Sequence, residues 1–166
     1  MIFVTVGTQL PFDRLIHAVD GWAAAGGANP KVFAQIGPTE LRPRNIEARP
    51  FISPSECREL IHDADVVVSH AGMGTILSAL ELGTPVLIMP RRAELGEHRN
   101  DHQLATARWF ARERSVSVAF DAAELVQKLD QVERLAVGSR ISEYAGDGLI
   151  GALRSFIDDQ PRDIAA

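Results

Sequence analysis

The chain has one cysteine, Cys57, in 166 residues, so no disulfide can form within it and a reducing compartment fits. Cys57 is expected to pack on a helix face. Basic charge is not in excess. The 22 acidic and 17 basic residues leave a net charge of −5, which argues against a nucleic-acid partner. No run reaches the ~20 apolar residues of a membrane span. The first residues, MIFVTVGTQLPFD, carry no basic leader, and their apolar run is too short for a signal peptide. No G-x-x-x-x-G-K-[ST] occurs, which sets aside a P-loop nucleotidase. Low-complexity tracts, repeats and linkers are also missing. What is present is a globular composition, 46% hydrophobic and 23% charged, at a length that suits one domain over residues 1–166.

Apolar runs alternate with helical patterns along the chain. IFVTV (2–6), KVFAQIG (31–37), IEARPFI (46–52), DVVVSH (65–70), PVLIMP (85–90) and VSVAF (116–120) read as strands. In PFDRLIHAVDGWAAAG (11–26), Phe12, Leu15, Ile16, Val19 and Trp22 recur at helical spacing, with Pro11 in the first turn. SPSECRELIHDA (53–64) opens with Ser53 as N-cap, Pro54 at the first helical position and Glu56 three residues on, a capping-box pattern. GTILSALELG (74–83) ends on Gly83 as the residue past the helix. HQLATARWFARER (102–114) and DAAELVQKLDQVERL (121–135), capped by Asp121, are further helices. RRAELGEHRND (91–101) reads as a charged loop, and residues 140–166 as a helical tail interrupted around GDG. This alternation predicts an α/β domain with a doubly wound, Rossmann-like parallel sheet. Ligands in such folds bind beyond the carboxyl ends of the strands, at the reversal in strand order. The loops after residues 6, 37, 52, 70 and 90 therefore hold the chemistry.

SHAGMGT, residues 69–75, is the most informative of these loops. Gly72 and Gly74 permit a tight turn and close approach of a ligand. Thr75 begins a helix whose first N–H groups have no internal partner and carry the positive end of the dipole. The arrangement reads as an anion site for a phosphate or diphosphate, with His70 and Thr75 as side-chain donors. The alternative is a tight strand-to-helix connection with no ligand. A dinucleotide fingerprint would need a third glycine where Leu77 stands.

The segment PFISPSECRELIHDADVVVSHAGMGTILSALELGTPVLIMP (50–90), with DHQLATA (101–107) after it, resembles the C-terminal domain of family 28 glycosyltransferases. It is similar in particular to short stand-alone versions: the small soluble subunit of the dolichol-linked GlcNAc transferase and, more closely, PssE-type subunits of bacterial exopolysaccharide enzymes. FVTVGTQLPFDRLI (3–16) adds to the resemblance, which spans roughly residues 1–120. It implies the C-terminal half of a GT-B enzyme, with a UDP-sugar as donor substrate, no cofactor and no metal in this domain. By matching motif, Gly7 and Thr8 would lie near the phosphates. Phe51 and Ile52 would face the uracil. His70, Gly72, Met73, Gly74 and Thr75 would hold the diphosphate, and Asp101, His102 and Gln103 would reach the sugar hydroxyls. Ser78 stands where relatives often carry a glutamate for the ribose, with Glu81 a turn further on; a hydroxyl binds there less strongly than a carboxylate. Thr106 stands where many relatives have a polar amide or acid.

The resemblance further implies a missing half: a membrane-associated, acceptor-binding subunit of the PssD type, which recruits this chain to a polyprenyl-linked acceptor at the cytoplasmic face. The general base would then sit on that partner, and no catalytic residue is assigned here. The sugar would be GlcA or GlcNAc. Leu149, Ile150, Leu153, Phe156 and Ile157 form an apolar stripe that would either contact the partner or cover this domain's own sheet. An exposed partner face would allow a homodimer of the chain alone. Two other classes stand as alternatives: a non-catalytic nucleotide-binding regulatory module, and an NAD-dependent oxidoreductase. Among the remaining candidates, His98 and His102, with Glu97 and Asp101 beside them, have a spacing that could hold zinc on a helix, and read otherwise as polar contacts to a sugar or as part of a solvated loop. Arg91 and Arg92 read either as a solvated pair or as facing a phosphate or an acidic sugar. His17 and His62 read as surface or packing residues, and Trp22 and Trp109 as core or interface anchors.

Overall fold

The computed structural model describes residues 1–26, 31–113 and 116–135. The expected tail at 140–166 and its apolar stripe lie outside them. Strand and helix alternate as β1 (Ile2–Thr5), α1 (Asp13–Ala24), β2 (Val32–Gln35), β3 (Glu47–Arg49), α2 (Pro54–Asp63), β4 (Val66–His70), α3 (Met73–Leu82), β5 (Val86–Met89), α4 (His102–Glu113), β6 (Ser117–Val118) and α5 (Ala122–Leu129). Short 3₁₀ turns occupy Ala93–Leu95 and Val132–Arg134. The six strands pair in the order β3-β2-β1-β4-β5-β6, and every pair is parallel. This is the doubly wound sheet that the alternation predicts.

The apolar runs are unbroken because both faces of the sheet are covered. Successive strand residues point to opposite sides. Ile2, Val4, Val66, Val68, Leu87 and Met89 enter a core with Leu15, Ile16 and Val19 of α1 and Leu125 and Leu129 of α5. Phe3, Val67 and Ile88 enter a second core with Ile61 of α2, Ile76 and Leu80 of α3, and Ala107 and Phe110 of α4. Cys57 is half-buried against this second core, as its helix-face reading expects. Trp22 is buried, and its indole N–H donates to Asp130 at 2.8 Å. Trp109 instead remains 55% exposed on α4, edge-on to Phe110.

The caps behave as local chemistry dictates. Ser53 Oγ accepts from the Glu56 N–H at 3.2 Å with Pro54 behind it, although the Glu56 carboxylate turns to Arg49 rather than back to the cap. Asp121 accepts from the Glu124 N–H at 2.9 Å. Gly83 ends α3 in the left-handed region at φ 76°. Two boundaries shift. The helix α1 begins at Asp13 rather than in a turn holding Pro11, because Phe12 is drawn wholly into the core. The strand β3 ends at Arg49, before Pro50, which has no N–H for the ladder. No described helix is long and apolar enough to cross a membrane.

Candidate functional site

From β1 the chain moves outward to β2 and β3, then returns to pair β4 with the other side of β1. The loops after β1 and β4 therefore diverge and leave a crevice at the carboxyl edge of the sheet. An open cleft of about 410 Å³ lies there. One wall is the loop after β1, with Gly7 and Thr8. The second is the loop after β4 and the start of α3, with His70, Gly72, Gly74 and Thr75. The third holds His98, His102 and Gln103.

The first wall is pinned from below. Buried Thr5 Oγ1 donates to Gln35 Oε1 at 2.5 Å, and Gln35 Nε2 donates to the carbonyls of Gly7 at 2.8 Å and Pro50 at 3.2 Å. A strand reading of KVFAQIG does not reveal that its glutamine ties two loops together.

The second wall is the helix start. Gly72 occupies the N-cap of α3 and offers no side-chain acceptor. Helical bonding begins with the Ile76 N–H donating to the Gly72 carbonyl at 3.2 Å. The N–H groups of Met73, Gly74 and Thr75 find no acceptor among the described residues. Three free donors mark the positive end of a 10-residue helix, and two of the residues that carry them, Gly74 and Thr75, line the cleft. A Cβ built on Gly74 would meet no atom within 4 Å. No packing demand explains that glycine, and a ligand can come up to its backbone.

Gly72 has a different cause. A Cβ there would stand 2.2 Å from His70 Nε2, and one on Gly7 would stand 2.8 Å from His70 Cε1. The imidazole is held between two glycines. Burial, reinforced by the charge of Arg91, lowers its pKa to about 4, while the Thr5 backbone acts weakly in the other direction. Its Nδ1 is buried and has no hydrogen-bond partner among the described residues. His70 is thus a neutral ring at pH 7 and offers an anion an N–H rather than a charge. The sign for stability follows. The unfolded chain protonates His70 first, so stability falls as pH drops from about 6.5 to about 4, by roughly 3 kcal/mol in total. Denaturant titrations across that range should show this loss, and a His70→Gln variant should lack it; an unchanged pH slope in the variant contradicts the assignment.

On the third wall, Gln103 is buried and its Oε1 accepts from the Arg91 N–H at 3.2 Å. His102 lines the cleft, and its Nδ1 pairs with the Asn100 amide oxygen. His98 meets it edge-on with ring centroids 4.6 Å apart. Partial desolvation, His102, Arg91 and Arg99 all lower the His98 pKa. Among the described residues no group of three or more His, Cys, Asp or Glu is placed to hold a metal ion. Asp101 is turned away: its Oδ1 accepts from the Ala93 N–H at 2.9 Å and closes the loop after β5.

The cleft lining thus unites Gly7, Thr8, His70, Gly72, Gly74, Thr75, His102 and Gln103. Phe51, Ile52, Met73, Ser78 and Asp101 lie outside it. Phe51 and Met73 are exposed, Ile52 packs against the second core, and Ser78 is half-buried on α3. Glu81 is engaged by Arg58 at 3.5 Å. Neither arginine after β5 is the solvated residue that a charged loop suggests. Arg91 is 2% exposed and bonded to backbone carbonyls, and Arg92 donates to the Phe120 carbonyl at 2.9 Å. Arg14 and Glu97, joined by two bonds of 2.7 and 2.8 Å, brace the same corner. No motif marks these four residues, because their partners are largely backbone atoms or lie far away in sequence.

Residues 1–136 match the sequence model of the glycosyltransferase family 28 C-terminal domain. The human protein named UDP-N-acetylglucosamine transferase subunit ALG13 is 32% identical over 122 residues, covering 68% of this chain. The chain spans 10% of the length of that relative. Among solved structures, Acinetobacter baumannii MurG superimposes with a TM-score of 0.60 at 19% identity, covering 95% of this chain and 49% of that one. The solution structure of ALG13 superimposes with a TM-score of 0.57 at 18% identity, covering 92% and 93%. At these identities the likeness establishes a shared fold.

Proposed function

The chain belongs to the glycosyltransferase family 28 C-terminal domain family, and on that premise we propose that it is the UDP-sugar-binding subunit of a two-component glycosyltransferase. The observation that carries the reading is the uncapped start of α3, which has three free N–H groups and whose residues Gly74, with its unobstructed backbone, and Thr75 border a cleft at the reversal of strand order. In this reading the diphosphate lies against Met73, Gly74 and Thr75, with Gly7 and Thr8 opposite and the neutral His70 beneath. The sugar extends toward His102 and Gln103, with Asp101 holding the loop that carries them. The uracil stacks outward near Phe51 and Ile52, and Ser78 meets the ribose.

During transfer the bond from the sugar's anomeric carbon to the diphosphate breaks as the acceptor oxygen bonds to that carbon. Negative charge grows on the departing UDP. Preorganised N–H donors and the helix dipole stabilise that charge as it forms. The acceptor's proton leaves to a general base, which the reading places on a membrane-associated, acceptor-binding partner of the PssD type. The word subunit in the human relative's name supports a partner. The sugar is GlcA or GlcNAc, the acceptor is polyprenyl-linked, and the product serves exopolysaccharide or a similar glycan. The chain works in the cytoplasm, recruited to the membrane face by its partner.

Calorimetric titration of the chain with UDP, with GDP and NAD as controls, tests the donor reading. Selective UDP binding is expected, weakened about fivefold to tenfold by Thr75→Ala through loss of one hydroxyl contact. Equal binding of GDP, or binding of NAD in place of UDP, would overturn it.

A further inference from the structure

We propose that Arg91 is a positioning residue for the nucleoside diphosphate: without touching the ligand, its guanidinium holds the loop after β1 in the shape that receives the anionic group. The proposal rests on the donor reading above. Arg91 is the second residue after β5 and borders the cleft, yet only 2% of it is exposed. Its Nη1 donates to the carbonyls of Pro11 and, at 3.4 Å, Glu97. Its Nη2 donates to the carbonyls of Val6 at 2.8 Å and Leu10 at 2.7 Å. The terminal nitrogens are committed to backbone at three points along the loop that carries Gly7 and Thr8. A phosphate could take them only by releasing that loop. This decides between ligating and positioning.

The surroundings fix the guanidinium further. The buried Phe12 ring lies against it, 4.7 Å from centroid to guanidinium carbon. The backbone N–H of Arg91 is held by Gln103 of the third wall. One residue thus joins the loop after β1, the loop after β5 and the start of α4. The nearest carboxylate, Glu97, is occupied by Arg14 and by the Arg92 N–H at 2.9 Å. The four acceptors of Arg91 are carbonyl dipoles, and the Glu97 charge that acts on the guanidinium is shared with Arg14, so part of the Arg91 charge remains to add to that of the helix start. The same charge is the second cause, after burial, of the low pKa of His70.

Three variants separate this role from plain structural support. Arg91→Lys keeps the charge but has no planar fork to span two pairs of carbonyls. It should weaken UDP binding at least about tenfold and leave the His70 imidazole titrating, by NMR, where it does in the wild type. Arg91→Gln should weaken binding at least as much and move the His70 midpoint upward. Arg91→Ala should recover binding in millimolar guanidinium chloride and not in equal sodium chloride; if it fails to fold, the lysine and glutamine variants decide. Wild-type affinity in Arg91→Lys overturns this proposal alone. So does weakened binding in Arg91→Gln with an unmoved His70 midpoint. Absence of UDP binding by the wild-type chain overturns the donor reading first, and this proposal with it.

Discussion

Gly74→Trp is expected to remove UDP binding, by a factor of at least ~100, or about 2.7 kcal/mol, while thermal unfolding stays within a few degrees of the wild type. The contrast follows from the site. Gly74 is the second residue of α3, in ordinary helical backbone, and apart from its chain neighbours and the backbone of its own helix no atom lies within 4 Å of the position its Cβ would take. Nothing in the fold resists a side chain there. The indole would instead fill the space over the free N–H groups. Gly74→Ala is the matching control. It should raise stability by up to ~0.5 kcal/mol, since alanine loses less backbone entropy than glycine in a helix, and it should weaken UDP binding far less than tryptophan does. Unchanged binding in Gly74→Trp would mean that the helix start does not hold the ligand.

The second large effect concerns the neighbouring glycine and falls on stability. Gly72→Ala is expected to cost roughly 2–3 kcal/mol, as overpacking of a filled site does. Its Cβ would lie 2.2 Å from His70 Nε2 and 2.8 Å from Cε1, and the ring cannot retreat because Gly7 closes its other side. The cost should nearly vanish in a His70→Ala background. The coupling in that double-mutant cycle should therefore be on the order of 2 kcal/mol, a size typical of residues in direct contact. Denaturant unfolding of the four proteins measures it. An equal cost with and without the imidazole would show that Gly72 is required for the turn itself.

These two glycines also show how far the sequence can be read. The six strands and the five helices of the described residues are legible because a sheet covered on both faces leaves long apolar runs, and because Ser53, Gly83 and Asp121 mark helix ends by strictly local chemistry. The free N–H groups of SHAGMGT are legible because a strand, a glycine turn and a helix start leave such groups wherever they occur. What the spacing hides is that Gly72 answers to His70 while Gly74 answers to no protein neighbour. That distinction depends on where a ring packs. Arg91 is hidden more deeply. In RRAELGEHRND it is one charge among several, and three of its four acceptors are main-chain carbonyls 80 residues or more away in sequence. Gln35 is concealed in the same way, inside a strand that reads as plain core. Polar side chains whose partners are backbone leave no pattern, and here they shape the walls of the cleft.

The central claim is that the start of α3 and the loop after β1 form one nucleoside-diphosphate site. The most direct measurement is a UDP titration of the isotope-labelled chain, following its backbone amide resonances. The account predicts that the amides of Gly7, Thr8, Met73, Gly74 and Thr75 shift together and saturably, with those around Gln131 and Val132 at the far side of the domain unchanged. Saturable shifts elsewhere, with the α3 amides still, would contradict it.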